Sequence, residues 1–335
     1  MNNRFTQTLE EKQVLLADGA TGTNHFDRGL EAGAPPELWN IGTPREVSKV
    51  EGLHMEFIEA GADLILTNSF GANEARLELH KAADKAIEIN YRAATHARIA
   101  TKISGKPDVL VAGSVGPTGN IFEPIGNFSV DAAAEMFEKQ GSGLASGGVD
   151  CFWVETMSSW EEMDAAIRGL ARFNLPIIAT VSFDTVGHTM MGISPKEYYR
   201  GIRERVDVLG ANCGKGPEIA LQALKEMMDA ELLNLVMKPG TIDAKGFQKN
   251  KSNFAIKANC GVPIFEGAEA VYQGTPELMA AYTGMAAQMG AKIIGGCCGT
   301  TSVHVRAMCD ALDLYLAVQK KEEPKEKPTK VRRRK

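Results

Sequence analysis

Short apolar runs rich in β-branched residues alternate with longer amphipathic stretches along almost the whole chain. The runs are VLLAD (14–18), DLILTNS (63–69), DVLVAGS (108–114), VDCFWVET (149–156), PIIATVSF (176–183), VDVLGANC (206–213), NFAIKANC (253–260) and AKIIGGCC (291–298). They do not alternate apolar and polar positions, so they read as strands covered on both faces. Apolar spacing predicts helices over 44–60, 74–102, 131–147, 159–172, 195–204, 216–229, 275–289 and 302–318. Eight successive strand–helix units predict a parallel sheet closed into an α/β (β/α)8 TIM barrel. The rival, an open doubly wound sheet, lacks a G-x-G-x-x-G after its first strand. The least regular segment, 230–252, is assigned to an insertion between the sixth helix and the seventh strand, although LLNLVMK (232–238) also reads as a strand.

Nearly every run ends in small and polar residues: DGATG, TNSFGAN, GSVGPTG, VETMSS, SFDTVG, ANCGKG, ANCG and GGCCGTT. Barrels of this type build their active sites on the loops that follow the strands, so these polar ends are site candidates as a class. The predicted domain spans 1–318, and a basic tail, 319–335, is expected to be disordered. From Lys320 onward nine basic and three acidic residues give a net of +6, against −5 for all 335 residues. The body is therefore strongly acidic, which argues against nucleic acid as the main substrate. No apolar run approaches the ~18–20 residues that span a bilayer, and the N-terminus has no hydrophobic signal core, so a cytoplasmic protein without a membrane partner is expected.

Six cysteines (151, 213, 260, 297, 298 and 309) are too sparse for a disulfide scaffold. Cys213 closes the sixth strand, Cys260 the seventh, and Cys297 with Cys298 the eighth, all at one mouth of the barrel. Neighbours on a regular strand face opposite ways, so the last strand must end at the cysteine pair. Gly295, Gly296 and Gly299 are expected to supply unusual backbone angles there. Three thiolates can bind zinc at ~2.3 Å and leave a fourth position open. Histidine ligands are not favoured: none of the six falls at a strand end, and His188 comes closest, five residues past the fifth strand. Cys260 reads as a packing residue or as a support behind the ligating sulfurs, with the fourth ligand of a closed structural site as an alternative; a strained vicinal disulfide at 297–298 is another. Cys151 and Cys309 read as packing.

A zinc ion carrying three thiolates is a weak Lewis acid, unsuited to hydrolysis. A thiol entering the open position would lose its proton yet stay electron-rich, which suits an alkyl-accepting sulfur nucleophile. A zinc-dependent barrel hydrolase would want histidines and carboxylates at the strand ends instead. A non-catalytic zinc-linked binding protein acting through the basic tail is the remaining class.

ANCG (211–214) and GGCCGTT (295–301) resemble the zinc-thiolate motifs of the homocysteine S-methyltransferase family, as do LLADGATGTN (15–24), LTNSFGAN (66–73), GSVGPTG (113–119) and ANCGVP (258–263). The likeness runs over roughly residues 12–315, and PPELWN (35–40) with VSFDTVGHTMMG (181–192) looks most like the bacterial betaine–homocysteine branch. The resemblance implies that Cys213, Cys297 and Cys298 bind zinc and that homocysteine sulfur takes the fourth place. It implies that Asp18 and Gly19 contact this substrate, that Glu155 holds its amino group, and that Trp39 contacts the methyl donor. Phe70, Phe122 and Trp153 are further candidates for an aromatic cage around glycine betaine. One departure stands out: animal betaine enzymes carry a tyrosine just after the phenylalanine of strand two, where this chain has Gly71. The implied products are methionine and dimethylglycine, with S-methylmethionine, another sulfonium, or methylcobalamin on a partner protein as alternative donors. Family members often form dimers or tetramers, so a homo-oligomer is an expectation by analogy.

Overall fold

The computed structural model describes residues 3–184, 187–237, 252–266 and 269–322. Eight parallel strands form one sheet: β1 (Leu15–Leu16), β2 (Leu64–Leu66), β3 (Leu110–Val115), β4 (Cys151–Met157), β5 (Ile177–Val181), β6 (Val208–Cys213), β7 (Asn253–Ala258) and β10 (Ile293–Gly296). Between β7 and the next helix lies an antiparallel hairpin, β8 (Pro263–Glu266) and β9 (Glu269–Tyr272). The sheet order β1-β10-β7-β6-β5-β4-β3-β2 is closed by a single bridge between Ala17 and Leu64. Two carboxylates complete this short seam: Leu16 N–H donates to Asp63 at 2.9 Å and Leu66 N–H to Asp18 at 2.7 Å. Side-chain oxygens thus replace ladder carbonyls where β1 is too short to supply them.

Eight helices, each following a strand, cover the outside: Pro44–Ala60, Ala86–Ile103, Val130–Gly147, Trp160–Leu170, Pro195–Ile202, Pro217–Met237, Pro276–Met289 and Ser302–Glu322. The sequences TPRE and SPKE start two of them, with Thr43 and Ser194 capping in reciprocal boxes with Glu46 and Glu197. Alternate strand residues face inward. Leu15, Ala17, Leu64, Leu66, Leu110, Ala112, Cys151, Trp153, Ile178, Val208, Ala255 and Ile293 form one buried cluster with Phe5 and Leu9 of the N-terminal helix Arg4–Glu11. That helix plugs the barrel at the strands' N-terminal ends, where Asn3 donates to the Asp150 carbonyl at 2.9 Å. The intervening residues, such as Leu16, Ile65, Val111 and Phe152, pack against the helices. Burial on both sides explains why the strands show no alternation in sequence.

The strands are shorter than their apolar runs, because the ends leave the ladder to form the mouth. The helix expected over 74–102 is broken into Glu74–Glu78, a 3₁₀ turn at Ala83–Lys85 and Ala86–Ile103, with Lys81 between them in the left-handed region at φ 56°. Within the expected insertion, residues 230–237 continue the helix Pro217–Met237, so LLNLVMK does not begin a strand; 238–251 lie outside the described residues. The last helix continues to Glu322, four residues into the segment read as tail, and 323–335 lie outside the described residues. Among the described residues no helix is long and apolar enough to cross a membrane.

Candidate functional site

Cys213, Cys297 and Cys298 converge at the C-terminal mouth, with their sulfurs all within 4.8 Å of one another. Cys213 ends β6 in the left-handed region, at φ 58°, a conformation a non-glycine residue adopts only when its surroundings impose it. Asn212 supplies the constraint. Its Oδ1 accepts from Thr180 Oγ1 at 2.7 Å and from Thr156 N–H at 2.8 Å, while its Nδ2 donates to Thr156 Oγ1 at 2.7 Å and to Cys213 Sγ at 3.4 Å. Thr156 itself sits at φ 64°, where β4 shifts register between Val154 and Met157. This bulge lets the consecutive residues Glu155 and Thr156 both line the site.

The cysteine pair is resolved by a turn. Cys297 N–H still donates to the Ala258 carbonyl at 2.7 Å, but Cys298 N–H donates to Asn259 Oδ1 at 3.0 Å and Thr300 N–H closes the turn onto Cys297 at 3.0 Å. Of the three glycines, only Gly299 has a positive φ, at 78°. Gly295 and Gly296 serve close packing instead: a Cβ on Gly296 would lie 2.2 Å from Thr300 Cγ2, and one on Gly295 would lie 2.9 Å from Lys257 Cγ.

Three sulfurs so close cannot all ionise unaided. Hydrogen bonding to Cys297 and Cys298 with burial pushes the Cys213 thiol far up, while hydrogen bonds from Cys213, Cys297 and Tyr272 pull Cys298 well down. Cys213 and Cys297 Sγ are 3.0 Å apart. A tetrahedral zinc-like cation with bonds of about 2.3 Å sets its sulfurs about 3.8 Å apart, within reach of this cluster, and would balance the charge of the ionised set. The cluster can hold a metal on this test. Cys260 is not in it; it is buried and its N–H donates to the Cys298 carbonyl at 2.9 Å.

The cysteines line a cavity of about 620 Å³, together with Gly19, Glu155 and Lys257. Gly19 is forced by space, since a Cβ there would lie 2.5 Å from the Thr300 carbonyl. Glu155 accepts from Ser114 Oγ at 2.5 Å, and burial raises its carboxyl to about 7 despite the pull of Lys257. Asp18 does not line the cavity. It is fully buried beneath it, with Oδ1 2.6 Å from Lys257 Nζ and Oδ2 committed to the β1/β2 seam. Burial opposes the charge on Lys257, but Asp18, Glu155 and Cys297 more than compensate and hold it as an ammonium.

The donor-side expectations fare differently. Trp39 is outside the cavity lining; it packs with Leu30 and Val50, edge-on to His25 at 5.0 Å and under Lys49 Nζ at 4.6 Å. Trp153 lies in the barrel interior and Phe122 packs on Phe128, so neither lines it; Phe70 does, joined by Phe26, Pro35 and Pro36. Lys257 was not singled out in the sequence, although a lysine inside the apolar run NFAIKANC was the available signal. Asn212 and Asn259 stand in the quoted ANCG motifs, but what they bond, like the contacts of Tyr272, is decided across distant segments.

A family model described as homocysteine S-methyltransferase matches residues 15–312. The chain is 28% identical over 324 residues to the methionine synthase of Mycobacterium leprae, covering 91% of this chain and 25% of that protein. It therefore spans about a quarter of such relatives. It is 29% identical over 321 residues to an S-methylmethionine–homocysteine S-methyltransferase of Pongo abelii, covering 91% of this chain and 80% of that one. The metallated Escherichia coli homocysteine methyltransferase MmuM shares the fold, with a TM-score of 0.71 at 21% identity over 92% of this chain and 99% of that chain. With most of its length matched by one family model, the chain belongs to the homocysteine S-methyltransferase family.

Proposed function

We propose that this chain is a zinc-dependent methyltransferase that moves a methyl group from an onium donor, glycine betaine foremost, to homocysteine, giving methionine and dimethylglycine. The observation that carries the reading is the three-sulfur cluster at one end of a cavity that also holds Glu155 and Lys257. Zinc on Cys213, Cys297 and Cys298 would supply the field that keeps an incoming thiol deprotonated at neutral pH. Glu155 takes the homocysteine ammonium in its ionised form, which Lys257, fixed by Asp18, favours against the effect of burial. Asn212 fixes the Cys213 sulfur by hydrogen bonding. With the reactants held in line, the homocysteine sulfur forms its bond to the methyl carbon as the carbon–nitrogen bond breaks, and the electron pair leaves on a neutral amine. No general base is needed at the methyl group. Most of the acceleration would come from holding both reactants in register.

S-methylmethionine is the second reading for the donor, favoured by the name of the Pongo abelii relative; a carbon–sulfur bond then breaks in place of carbon–nitrogen. Methylcobalamin would need a partner protein to carry it. A donor panel separates these: purified protein, homocysteine, and betaine, S-methylmethionine or methylcobalamin, with zinc measured on the same sample. Methionine formation from an onium donor in proportion to bound zinc is expected. Zinc-loaded protein that makes none from either onium overturns the proposal.

The position of Glu155 near neutrality gives a pH dependence with a definite sign. Its carboxyl is ionised above about 7 and protonated below, and only the ionised form attracts an ammonium. Homocysteine binding should weaken roughly tenfold between pH 8 and pH 6 from this group, since each unit below the pKa costs a factor of ten. Glu155→Gln should bind more weakly and lose that part of the slope, measured by titration calorimetry across the range. An unchanged slope would remove Glu155 from the ammonium site.

A further inference from the structure

The cavity wall carries a carboxylate with no part in the acceptor chemistry. Glu37, in the 3₁₀ helix Pro36–Ile41, is 4% exposed and lines the same cavity as the cysteines. Its Oε1 accepts from Gly71 N–H at 2.6 Å. A Cβ on Gly71 would lie 2.9 Å from that oxygen, so the Glu37 carboxylate fills the volume that a side chain at 71 would need. A side chain at 71 would therefore require the Glu37 carboxylate to move aside from its present place. Among the described residues no lysine, arginine or histidine forms an ion pair with Glu37. Arg76 and His80 act on it at longer range, and both are exposed at the rim of the cavity.

A carboxylate in a cavity also lined by Phe26, Pro35, Pro36 and Phe70 is costly to ionise without a cation, and the backbone N–H groups of Glu37 itself and of Gly71 offset only part of that cost. A quaternary ammonium or tertiary sulfonium has no hydrogen to donate, so it is recognised by charge and apolar contact, by aromatic faces in some sites and by a carboxylate in others. With Trp39 outside the cavity and glycine at 71, the aromatic route is thin here and the charge route is built.

We propose that Glu37, in the space opened by Gly71, forms the subsite for the cationic head of the methyl donor, with Arg76 at the rim receiving the donor's carboxylate. This rests on the methyl-transfer reading of the cavity. The positive charge disappears when the methyl leaves, so the attraction acts on donor binding and lapses with the neutral product. Its loss therefore raises KM more than it lowers kcat.

The test compares glycine betaine, S-methylmethionine and 3,3-dimethylbutanoate, the uncharged-head isostere of betaine, for binding to zinc-loaded protein. Wild type should prefer a charged head by roughly tenfold or more, the onium bound more tightly identifying the donor. Glu37→Gln keeps an acceptor for Gly71 N–H and should erase the preference, leaving dimethylbutanoate binding, homocysteine binding and zinc content as they were. Arg76→Gln should weaken betaine and dimethylbutanoate alike. A preference that survives in Glu37→Gln overturns the subsite, as does a wild type with no preference. If the preference obeys these expectations but no onium donor yields methionine, the subsite stands and the methyl-transfer reading falls.

Discussion

Cys298→Ala is expected to lose bound zinc and at least ~10³-fold of methionine formation together, while still folding as a barrel. At pH 7 a free thiol is only a few per cent thiolate, and an unanchored homocysteine also forfeits the large effective concentration of a positioned nucleophile. Structural collapse is not expected, because Cys298 is only partly buried and its backbone N–H keeps its partner on Asn259. Circular dichroism should remain native, and the variant should melt where metal-free wild type melts, since metal that binds only the folded state adds stability. Cys309→Ala, outside the cluster, serves as the control that keeps its zinc. Full activity in Cys298→Ala would remove the thiolate site from the mechanism.

Lys257→Met is expected to cost about 3–5 kcal/mol of folding stability, the range for breaking one side of a buried ion pair. The pair is nearly inaccessible, with side chains 3% and 1% exposed at 2.6 Å. Removing the ammonium strands the Asp18 carboxylate, which also anchors Leu66 at the β1/β2 seam, and leaves Glu155 without its nearest positive charge. Adding Asp18→Asn to Lys257→Met should recover much of the loss, because an amide can still accept from Leu66 and carries no charge. Equilibrium urea unfolding measures both. A single-variant cost below about 1 kcal/mol would mean that the pair contributes little, as exposed pairs do.

Much of the barrel was legible in the chain itself. Eight doubly covered apolar runs, each followed by an amphipathic stretch, admit few architectures, and the glycine-rich punctuation marked the mouth where chemistry belongs. The ladder ends were not legible, because residues such as Asp18, Asn68 and Asn259 are apolar in neighbourhood yet leave the sheet to bond across the mouth. The hairpin at 263–272 adds two strands beyond the eight read from the sequence; PIFE and EAVY carry strand-forming residues but pair only with each other, outside the barrel sheet. In the structure Asp18 turns beneath the cavity onto Lys257, and Trp39 packs with Leu30 and Val50. Motif likeness identified residue types at positions; it did not reveal which way each side chain turns.

That division has a physical basis. Periodicity and glycine content are local, so the sequence by itself determined the element order and the barrel, while only the family likeness singled out the three sulfurs as a set. Side-chain direction at a barrel mouth depends on a few dihedrals imposed from elsewhere. The bulge at Thr156, the left-handed backbone of Cys213 held by Asn212, and the volume shared by Glu37 and Gly71 are each decided by contacts between segments far apart in the chain. Only the tertiary structure brings those contacts into being, and with them the geometry of the site.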